Sequence, residues 1–430
     1  KNKFLVVLLM AMVVLAAFAG GDEEKVTADG QEIKTVTVRM AGYHPTEWTT
    51  RSAEHPEVVT ASRILADAFE EKYPNIKIKF IEAEIEGESD DYLAWFSARM
   101  MSGTAPDFTS SLHNIEIQNG WTLPIGEYLD KPNPFVAGNK RWRDLYHTNL
   151  MTSLIWEDDE EYCAPISAIW PYMEVGLLYN KDYFAEHDLK PATNWTELVA
   201  VSKKLKELGS GLSPWAPEKE SGNFWPLALQ LLPPMMQEVA VEMDLNDDMF
   251  VNIDEALIAY RNGLIGPKTE LYRSAIDKMT ELASYWVDDF STVDLETMFK
   301  NEEIHLMYMG AWGFSDWAND PSIEFDLGYF PAPMPLPSDF PEAKAPKEIT
   351  KGDGTPPMDY IFAVQGPDFV IIEDSVKAHD NLEETILWWQ FLTSPENNAF
   401  LVNENEAAIP AVLGAPLGPI FSDIAKYKMP

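Results

Sequence analysis

The segment Val175-Gly176-Leu177-Leu178-Tyr179-Asn180-Lys181-Asp182 gives the clearest indication of the fold. It begins with an apolar run that has the length of a buried strand. Asn180 and Asp182 end this run with residues that favour turns. Further on, Thr193 or Asn194 can cap a helix, and Glu197 follows where a carboxylate assists the cap. The pattern predicts a strand, a turn and a helix, a unit common in α/β proteins.

The region before this segment alternates strand and helix patterns. We predict strands at 35–40, at 76–81 and from 105 onward, with amphipathic helices at 58–73 and 90–101 between them. This β-α-β-α-β order is typical of an open α/β sheet that binds ligands at the carboxyl ends of its strands. The dense prolines of residues 331–357 exclude regular structure there.

Length and composition indicate a large, acidic, globular protein. The chain has 430 residues, which favours two domains, and 46% of them are hydrophobic, enough for conventional cores. The formal net charge is −38, which repels nucleic acid and anionic membrane surfaces. Neutral or cationic ligands therefore fit better than anionic ones, and we expect no nucleic-acid partner.

The first residues have the pattern of an export signal. Lys1 and Lys3 precede an apolar stretch, and Ala17-Phe18-Ala19 fits a cleavage site, so we predict a signal peptide at 1–19 and a flexible tether at 20–31. The mature protein is expected in the periplasm or on the extracellular face of the membrane. Phe18 stands where a lipoprotein would have cysteine, so a lipid anchor is not predicted. Cys163 is the only cysteine, which excludes an intrachain disulfide.

Six short motifs occur together in a recognisable order. They are Ser102-Gly103-Thr104-Ala105-Pro106-Asp107, Gly120 to Pro124 leading to Tyr128-Leu129-Asp130, Gly176 to Asp182 with Trp195 to Leu198, Met309 to Trp312, Phe330 to Pro333, and Trp389 to Glu396 ending in Ile409-Pro410. In this order the chain resembles the extracellular solute-binding proteins of ABC importers, in particular family 1, the sugar-binding type. The likeness extends over residues 32–412.

The resemblance implies a two-lobed periplasmic-binding-protein fold, type II-like, with an interlobe hinge and a ligand cleft. Its lobes would be 32–171 plus 332–401 and 174–330 plus 404–430. Ligand would close the lobes, and the closed form would dock on the membrane permease. The resemblance implies a binding protein rather than an enzyme, with no cofactor, and we expect a monomer.

A sugar presents apolar faces and a rim of hydroxyls, so its site needs aromatic rings and paired polar groups. We favour residues in loops that follow strands. Trp312 lies in a Gly-Ala-Trp-Gly loop and resembles the stacking tryptophan of the family, and Trp225 stands where the family often has a cleft aromatic. The other candidates are Trp170, Tyr172, Glu174, Trp48, Glu47, Asn114 and His113. Tyr43 and His44 are equally consistent with a structural role in their loop.

Two other functions fit parts of the sequence. A binder of another solute, such as a polyamine or a peptide, would share the two-lobed plan and suit the acidic charge. An exported glycoside hydrolase would need a carboxylate pair, which 70 Asp and Glu residues easily supply, but no pattern indicates an eight-stranded barrel. The seven histidines have no metal-ligand spacing, and no phosphate-binding loop is present.

Overall fold

The computed structural model describes fifteen stretches of the chain. These are residues 26–27, 30–50, 58–82, 90–111, 115–152, 154–156, 158–168, 175–214, 230–246, 250–310, 314–318, 320–333, 361–362, 368–404 and 409–419. No helix in this part of the chain is long and apolar enough to cross a membrane.

Strands and helices alternate through most of the described chain. The strands are β1 Lys34–Arg39, β2 Ile76–Phe80, β3 Phe108–Ser111, β4 Ser167–Ala168, β5 Val175–Asn180, β6 Leu212–Ser213, β7 Phe250–Val251, β8 Leu306–Gly310, β9 Leu327–Pro331, β10 Ile361–Phe362, β11 Asp368–Ile371 and β12 Ile409–Pro410. The helices are α1 Ala61–Lys72, α2 Asp90–Ser102, α3 Ile115–Gln118, α4 Gly126–Leu129, α5 Thr148–Thr152, α6 Lys181–Glu186, α7 Trp195–Glu207, α8 Leu232–Met243, α9 Ile253–Arg261, α10 Glu270–Ala283, α11 Leu295–Lys300, α12 Phe314–Ala318, α13 Glu373–His379, α14 Leu382–Leu392 and α15 Pro395–Asn403.

The first sheet has the strand order β11-β3-β1-β2. β1 runs parallel to both β2 and β3, so the carboxyl ends of these three strands meet at one edge. β11 is antiparallel to β3, and its first residue, Asp368, faces Ser111 at that same edge. The alternation in β1 buries Val36 and Val38 completely, which explains why this segment forms a strand with one apolar face. The predicted β-α-β-α-β order is confirmed.

The core beneath this sheet is strongly aromatic. Phe69 of α1 meets Trp388 of α14 edge-on at 5.3 Å, and Trp389 meets Trp142 in the same way at 5.5 Å. Trp389 Nε1 also donates to the carbonyl of Ala164 at 3.0 Å, so its one polar atom is satisfied inside the core. Residues from both ends of the chain therefore build this core.

The second sheet has the order β6-β8-β5-β9, with β5 antiparallel to both β8 and β9. Its middle strand β5 lies within the segment quoted first. Asn180 caps α6 by accepting the Tyr183 amide at 2.9 Å, and Asn194 caps α7 by accepting the Glu197 amide at 2.9 Å. The predicted strand, turn and helix are confirmed, with Asn194 as the cap.

Two segments have partners that differ from the expected lobes. Ile409 pairs with Ala168, and Ala411 and Val412 lie in the first core, although 404–430 was expected in the second lobe. β10 pairs with β7, although residues 332–401 were expected in the first lobe. Residues 334–357 of the proline-dense segment lie outside the described residues.

Candidate ligand-binding site

A buried cation lies where β1 ends at the carboxyl edge of the first sheet. Arg39 is 5% exposed. Its Nη1 donates to the Ser110 carbonyl at 3.0 Å, to Ser110 Oγ at 3.2 Å and to the Tyr92 hydroxyl at 3.3 Å. Its guanidinium carbon also lies 4.8 Å from the centre of the Tyr92 ring. These contacts join β1, β3 and α2 directly behind the edge.

A buried carboxylate completes this group. Glu116 of α3 is fully buried, and its carboxylate accepts the Tyr92 hydroxyl at 2.5 Å and the Ser111 hydroxyl. Burial raises the pKa of Tyr92, and the charge of Glu116 raises it further, so the phenol stays protonated and donates. The hydrogen bond between Ser111 and Glu116 therefore connects the two residues that flank the segment containing His113 and Asn114.

The loop after β1 divides into a buried and an exposed half. Tyr43 packs in the core, 6.4 Å from the Phe369 ring, and burial raises the pKa of its hydroxyl to about 12. The His44 ring meets Phe80 edge-on at 6.2 Å. Its Nδ1 is buried without a hydrogen-bond partner in the described chain, and burial lowers the pKa of the ring. His44 therefore brings a neutral imidazole to the edge where β2 ends.

Glu47 and Trp48, both predicted site residues, lie in the exposed half of this loop. The Trp48 carbonyl accepts the Thr46 hydroxyl at 2.7 Å. Thr46 in turn exchanges backbone and hydroxyl hydrogen bonds with Val59, at 2.9 and 3.1 Å. Trp48 is 36% exposed, so its ring is partly open to solvent.

The edge of the second sheet is formed by backbone and small residues. Val175 lies opposite Gly310, and Gly176 lies opposite Pro331. A Cβ atom at Gly176 would overlap the Tyr329 ring, so glycine allows this ring to cover the strand.

A buried hydrogen-bond pair supports the second sheet. The Tyr308 hydroxyl donates to Gln230 Oε1 at 2.8 Å, and Gln230 Nε2 donates to the Pro333 carbonyl at 2.5 Å. Tyr308 is fully buried and Gln230 nearly so. The pair ties the beginning of α8 to the chain that leaves β9.

Most of the predicted site residues lie outside the part of the chain that the structure describes. Seven lie outside the described residues: Trp312, Trp225, Trp170, Tyr172, Glu174, Asn114 and His113. Sequence reasoning missed Arg39, Tyr92 and Glu116. A signal was available for Arg39, since it is the only charged residue in the predicted strand 35–40. Nothing in the local pattern marked Glu116.

A cluster of aspartate, serine and histidine lies where β3 begins, at the opposite edge of the first sheet. Asp107 is fully buried and accepts from the Thr37 amide at 2.8 Å, Ser375 Oγ at 2.8 Å and Asn381 Nδ2 at 2.9 Å. His379 uses the same Nδ1 atom for Asp107, at 2.7 Å, and for Ser375, at 3.5 Å. A catalytic triad needs the two ring nitrogens for two different partners. The cluster is therefore structural, and it explains the Pro106-Asp107 motif. No group of three metal-binding side chains occurs in the described part of the chain.

The two sheets, each with strand ends gathered along an edge, belong to a two-lobed α/β binding protein. The chain is a member of the bacterial extracellular solute-binding protein family, whose model matches residues 52–399. An uncharacterized ABC transporter extracellular-binding protein from Pyrococcus horikoshii is 23% identical over 342 residues, which cover 77% of this chain and 71% of that protein.

Solved structures show the same fold. The apo-form of RafE from Streptococcus pneumoniae has a TM-score of 0.57 at 14% identity, covering 94% of this chain and 86% of that one. RafE in complex with raffinose has a TM-score of 0.52 at 14% identity, covering 89% and 84%. An ABC substrate-binding protein from Listeria monocytogenes, in complex with cycloalternan, has a TM-score of 0.52 at 15% identity, covering 92% and 82%. Family match and fold therefore agree on an extracellular solute-binding protein.

Proposed function

We propose that this protein captures a sugar or oligosaccharide in the cleft between its lobes and delivers it to the membrane permease of an ABC importer. RafE with raffinose and the Listeria protein with cycloalternan are carbohydrate complexes on the same fold, which supports a carbohydrate here. The family is one of binding proteins, which supports capture rather than catalysis.

The observation that carries this proposal is the position of the strand ends. Predicted site residues stand close in sequence to the residues that form the two edges. Trp312 is two residues after Gly310, Glu174 is one residue before Val175, and His113 is two residues after Ser111. In open α/β sheets, ligands bind at such edges.

Aromatic and polar side chains would contact different parts of the sugar. The aromatic rings would cover the apolar faces of the sugar, and the polar groups would pair with its hydroxyls. The proposed ligand-binding residues are Trp312, Trp225, Trp170, Tyr172, Glu174, Trp48, Glu47, Asn114 and His113.

A thermal-shift screen against mono- and oligosaccharides tests the proposal. A ligand at 100 times its dissociation constant stabilises the native state by about 2.7 kcal/mol, which gives a clear rise in melting temperature. A rise with polyamines or peptides, and with no carbohydrate, would establish the alternative class of solute. Hydrolysis of a bound oligosaccharide by the pure protein would show an enzyme instead.

One substitution tests the site itself. Trp312→Ala should abolish the response to the best sugar, since a stacked aromatic supplies a large share of the contact. Tyr260→Ala is a matched control, because Tyr260 is a 56% exposed aromatic residue on α9. An unchanged affinity in Trp312→Ala would remove this residue from the site.

We also propose that residues 1–19 are removed on export, because Lys1 and Lys3 precede an apolar stretch that ends in Ala17-Phe18-Ala19. The intact mass of the secreted protein tests this point. A mass that includes the leader would contradict it.

A further inference from the structure

The buried group behind the carboxyl edge of the first sheet has a member at each place where the chain leaves a parallel strand. Arg39 is the last residue of β1, and Ser111 is the last residue of β3. Tyr92 lies in the first turn of α2, the helix that follows β2. Glu116 lies in the first turn of α3, the helix that follows β3. These side chains therefore reach the connections that follow all three parallel strands.

The Tyr92 hydroxyl is the junction of this group. It accepts from Arg39 Nη1 at 3.3 Å and donates to the Glu116 carboxylate at 2.5 Å. The other oxygen of Glu116 accepts the Ser111 hydroxyl. A phenol donates and accepts at the same time, so the Tyr92 hydroxyl joins a buried cation to a buried carboxylate. Removal of either the Tyr92 or the Ser111 hydroxyl would leave one Glu116 oxygen without this donor.

The group is closed to solvent, so a ligand at the edge does not touch it. Tyr92 is 2% exposed, Ser111 1% and Glu116 0%. Any effect on binding must therefore pass through the chain that these residues hold. Ser111 and Glu116 are the described residues on either side of the segment that contains His113 and Asn114, two of the proposed ligand-binding residues.

The connection after β1 is held by the same group. Ser110 Oγ accepts from Arg39 Nη1 at 3.2 Å and from the Ala41 amide at 3.0 Å. Ala41 begins the loop that contains Glu47 and Trp48, which are also proposed to bind the ligand. Proposed ligand-binding residues on two different connections therefore depend on one hydrogen-bond network.

We propose that Tyr92, Ser111 and Glu116 are positioning residues for ligand binding, which hold the connections of the first lobe in their binding arrangement before the ligand arrives. This inference rests on the proposed function, because it concerns the same ligand edge. A connection that is ordered in advance loses less conformational freedom when the ligand binds. If the loss of one hydroxyl leaves about a tenth of the molecules in the binding arrangement, the dissociation constant rises about tenfold.

Two serines at opposite edges of the first sheet provide a matched test. Ser111→Ala and Ser375→Ala each remove a buried hydroxyl that donates to a fully buried carboxylate, Glu116 in one case and Asp107 in the other. Isothermal titration calorimetry uses the mono- or oligosaccharide that gives the largest thermal shift. Its affinity should be about tenfold weaker in Ser111→Ala and unchanged in Ser375→Ala. The melting temperature without sugar should fall in both variants, which separates positioning from stability.

Tyr92→Phe tests the junction while keeping the aromatic ring. The ring stacks on Trp95 with centres 5.9 Å apart and lies 4.8 Å from the guanidinium carbon of Arg39, so the variant should fold. It should also weaken binding about tenfold. The double variant with Ser111→Ala should fall well short of a hundredfold loss, because both hydroxyls act on one carboxylate. A full hundredfold loss would show that the two hydroxyls act separately and would overturn a shared positioning group.

The outcomes distinguish this inference from the proposed function. Wild-type affinity in Ser111→Ala and Tyr92→Phe, or binding in Ser375→Ala as weak as in Ser111→Ala, would overturn the positioning role and leave sugar capture intact. A wild-type protein that binds only polyamines or peptides would overturn sugar capture, and the same variants measured with that solute would decide the positioning role. A wild-type protein that binds none of these solutes would contradict both.

Discussion

The edges of the two sheets are built in different ways. The first is held by buried side-chain charges, with Arg39 and Glu116 joined through the Tyr92 hydroxyl. The second is held by backbone pairing and by close packing of aromatic rings on glycines, as where Tyr329 covers Gly176. Both edges hold strand ends in place, but one depends on electrostatic pairing and the other on shape.

This difference decides how each edge responds to change. A buried charge network is costly to break, because the remaining partner keeps its charge without compensation. A glycine packed against a ring is insensitive to charges in the surrounding solvent, but it does not tolerate the added volume of a side chain. The first edge should therefore be sensitive to the loss of a polar group, and the second to the addition of a methyl group.

The largest effect is expected at Glu116. Glu116→Ala should lower the free energy of unfolding by about 3–5 kcal/mol, because it leaves Arg39 charged and buried and the Tyr92 hydroxyl without its acceptor. Urea denaturation of the purified variant measures this loss.

Glu373→Ala provides the control for that measurement. Glu373 forms an exposed ion pair with Lys377 at 2.6 Å on α13, and exposed pairs contribute at most about 1 kcal/mol. If Glu116→Ala and Glu373→Ala lowered the free energy of unfolding by equally small amounts, the first edge would not depend on its buried charges.

The next effect concerns acid stability and arises in the second sheet. His305 is 6% exposed and stacks on Tyr183 with ring centres 3.4 Å apart. Burial, and to a smaller extent the charge of His187, lower the pKa of His305 to about 4. As the pH falls from 6.5 to 4, His305 takes up a proton in the unfolded chain but stays neutral in the folded chain. The free energy of unfolding therefore decreases over this range by up to about 3 kcal/mol.

His305→Phe keeps a ring against Tyr183 and removes the titration. Urea denaturation at pH 7 and pH 4.5 should show a smaller loss of stability in this variant than in the wild type. A wild-type pH dependence in His305→Phe would mean that other groups cause the acid sensitivity.

The sequence predicted the strands because period-two alternation and turn residues are local signals. Val36 and Val38 mark β1, Asn180 marks the turn after β5, and the pair Thr193-Asn194 marks the cap of α7. The Arg39 and Glu116 network was not predictable, since it joins residues 77 positions apart whose proximity is set by strand order. The same reason explains β10 and β12, whose partners β7 and β4 lie far from them in the sequence. The aromatic candidates remain predictions, because residue type alone cannot separate a stacking ring from a core ring.

A smaller effect is expected at the second edge. Gly176→Ala should destabilise the protein by about 2 kcal/mol, because its Cβ would overlap the Tyr329 ring and force it to move. The double variant Gly176→Ala, Tyr329→Ala should lose less than the sum of the two single changes, which a double-mutant cycle in urea will measure.

Gly126→Ala is the counterpart in the first lobe. A Cβ atom there would approach only the Glu161 carboxylate, at 3.3 Å, so Gly126→Ala should alter the free energy of unfolding by no more than about 1 kcal/mol. Equal losses at Gly176 and Gly126 would contradict a second edge built on close packing.

The smallest effect separates charge from geometry at two helix caps. Glu404 accepts the Thr60 and Ala61 amides, both at 2.8 Å, and so caps α1, whereas the neutral Asn194 caps α7. Glu404→Ala and Asn194→Ala should each cost about 1 kcal/mol in low salt, because each leaves backbone donors unpaired. Raising the ionic strength should reduce the cost of Glu404→Ala and leave that of Asn194→Ala unchanged, since salt screens only the charged cap. Equal salt responses would mean that the Glu404 carboxylate stabilises α1 through its hydrogen bonds alone. In that case, the first lobe would depend on charge only at the buried edge formed by Arg39 and Glu116.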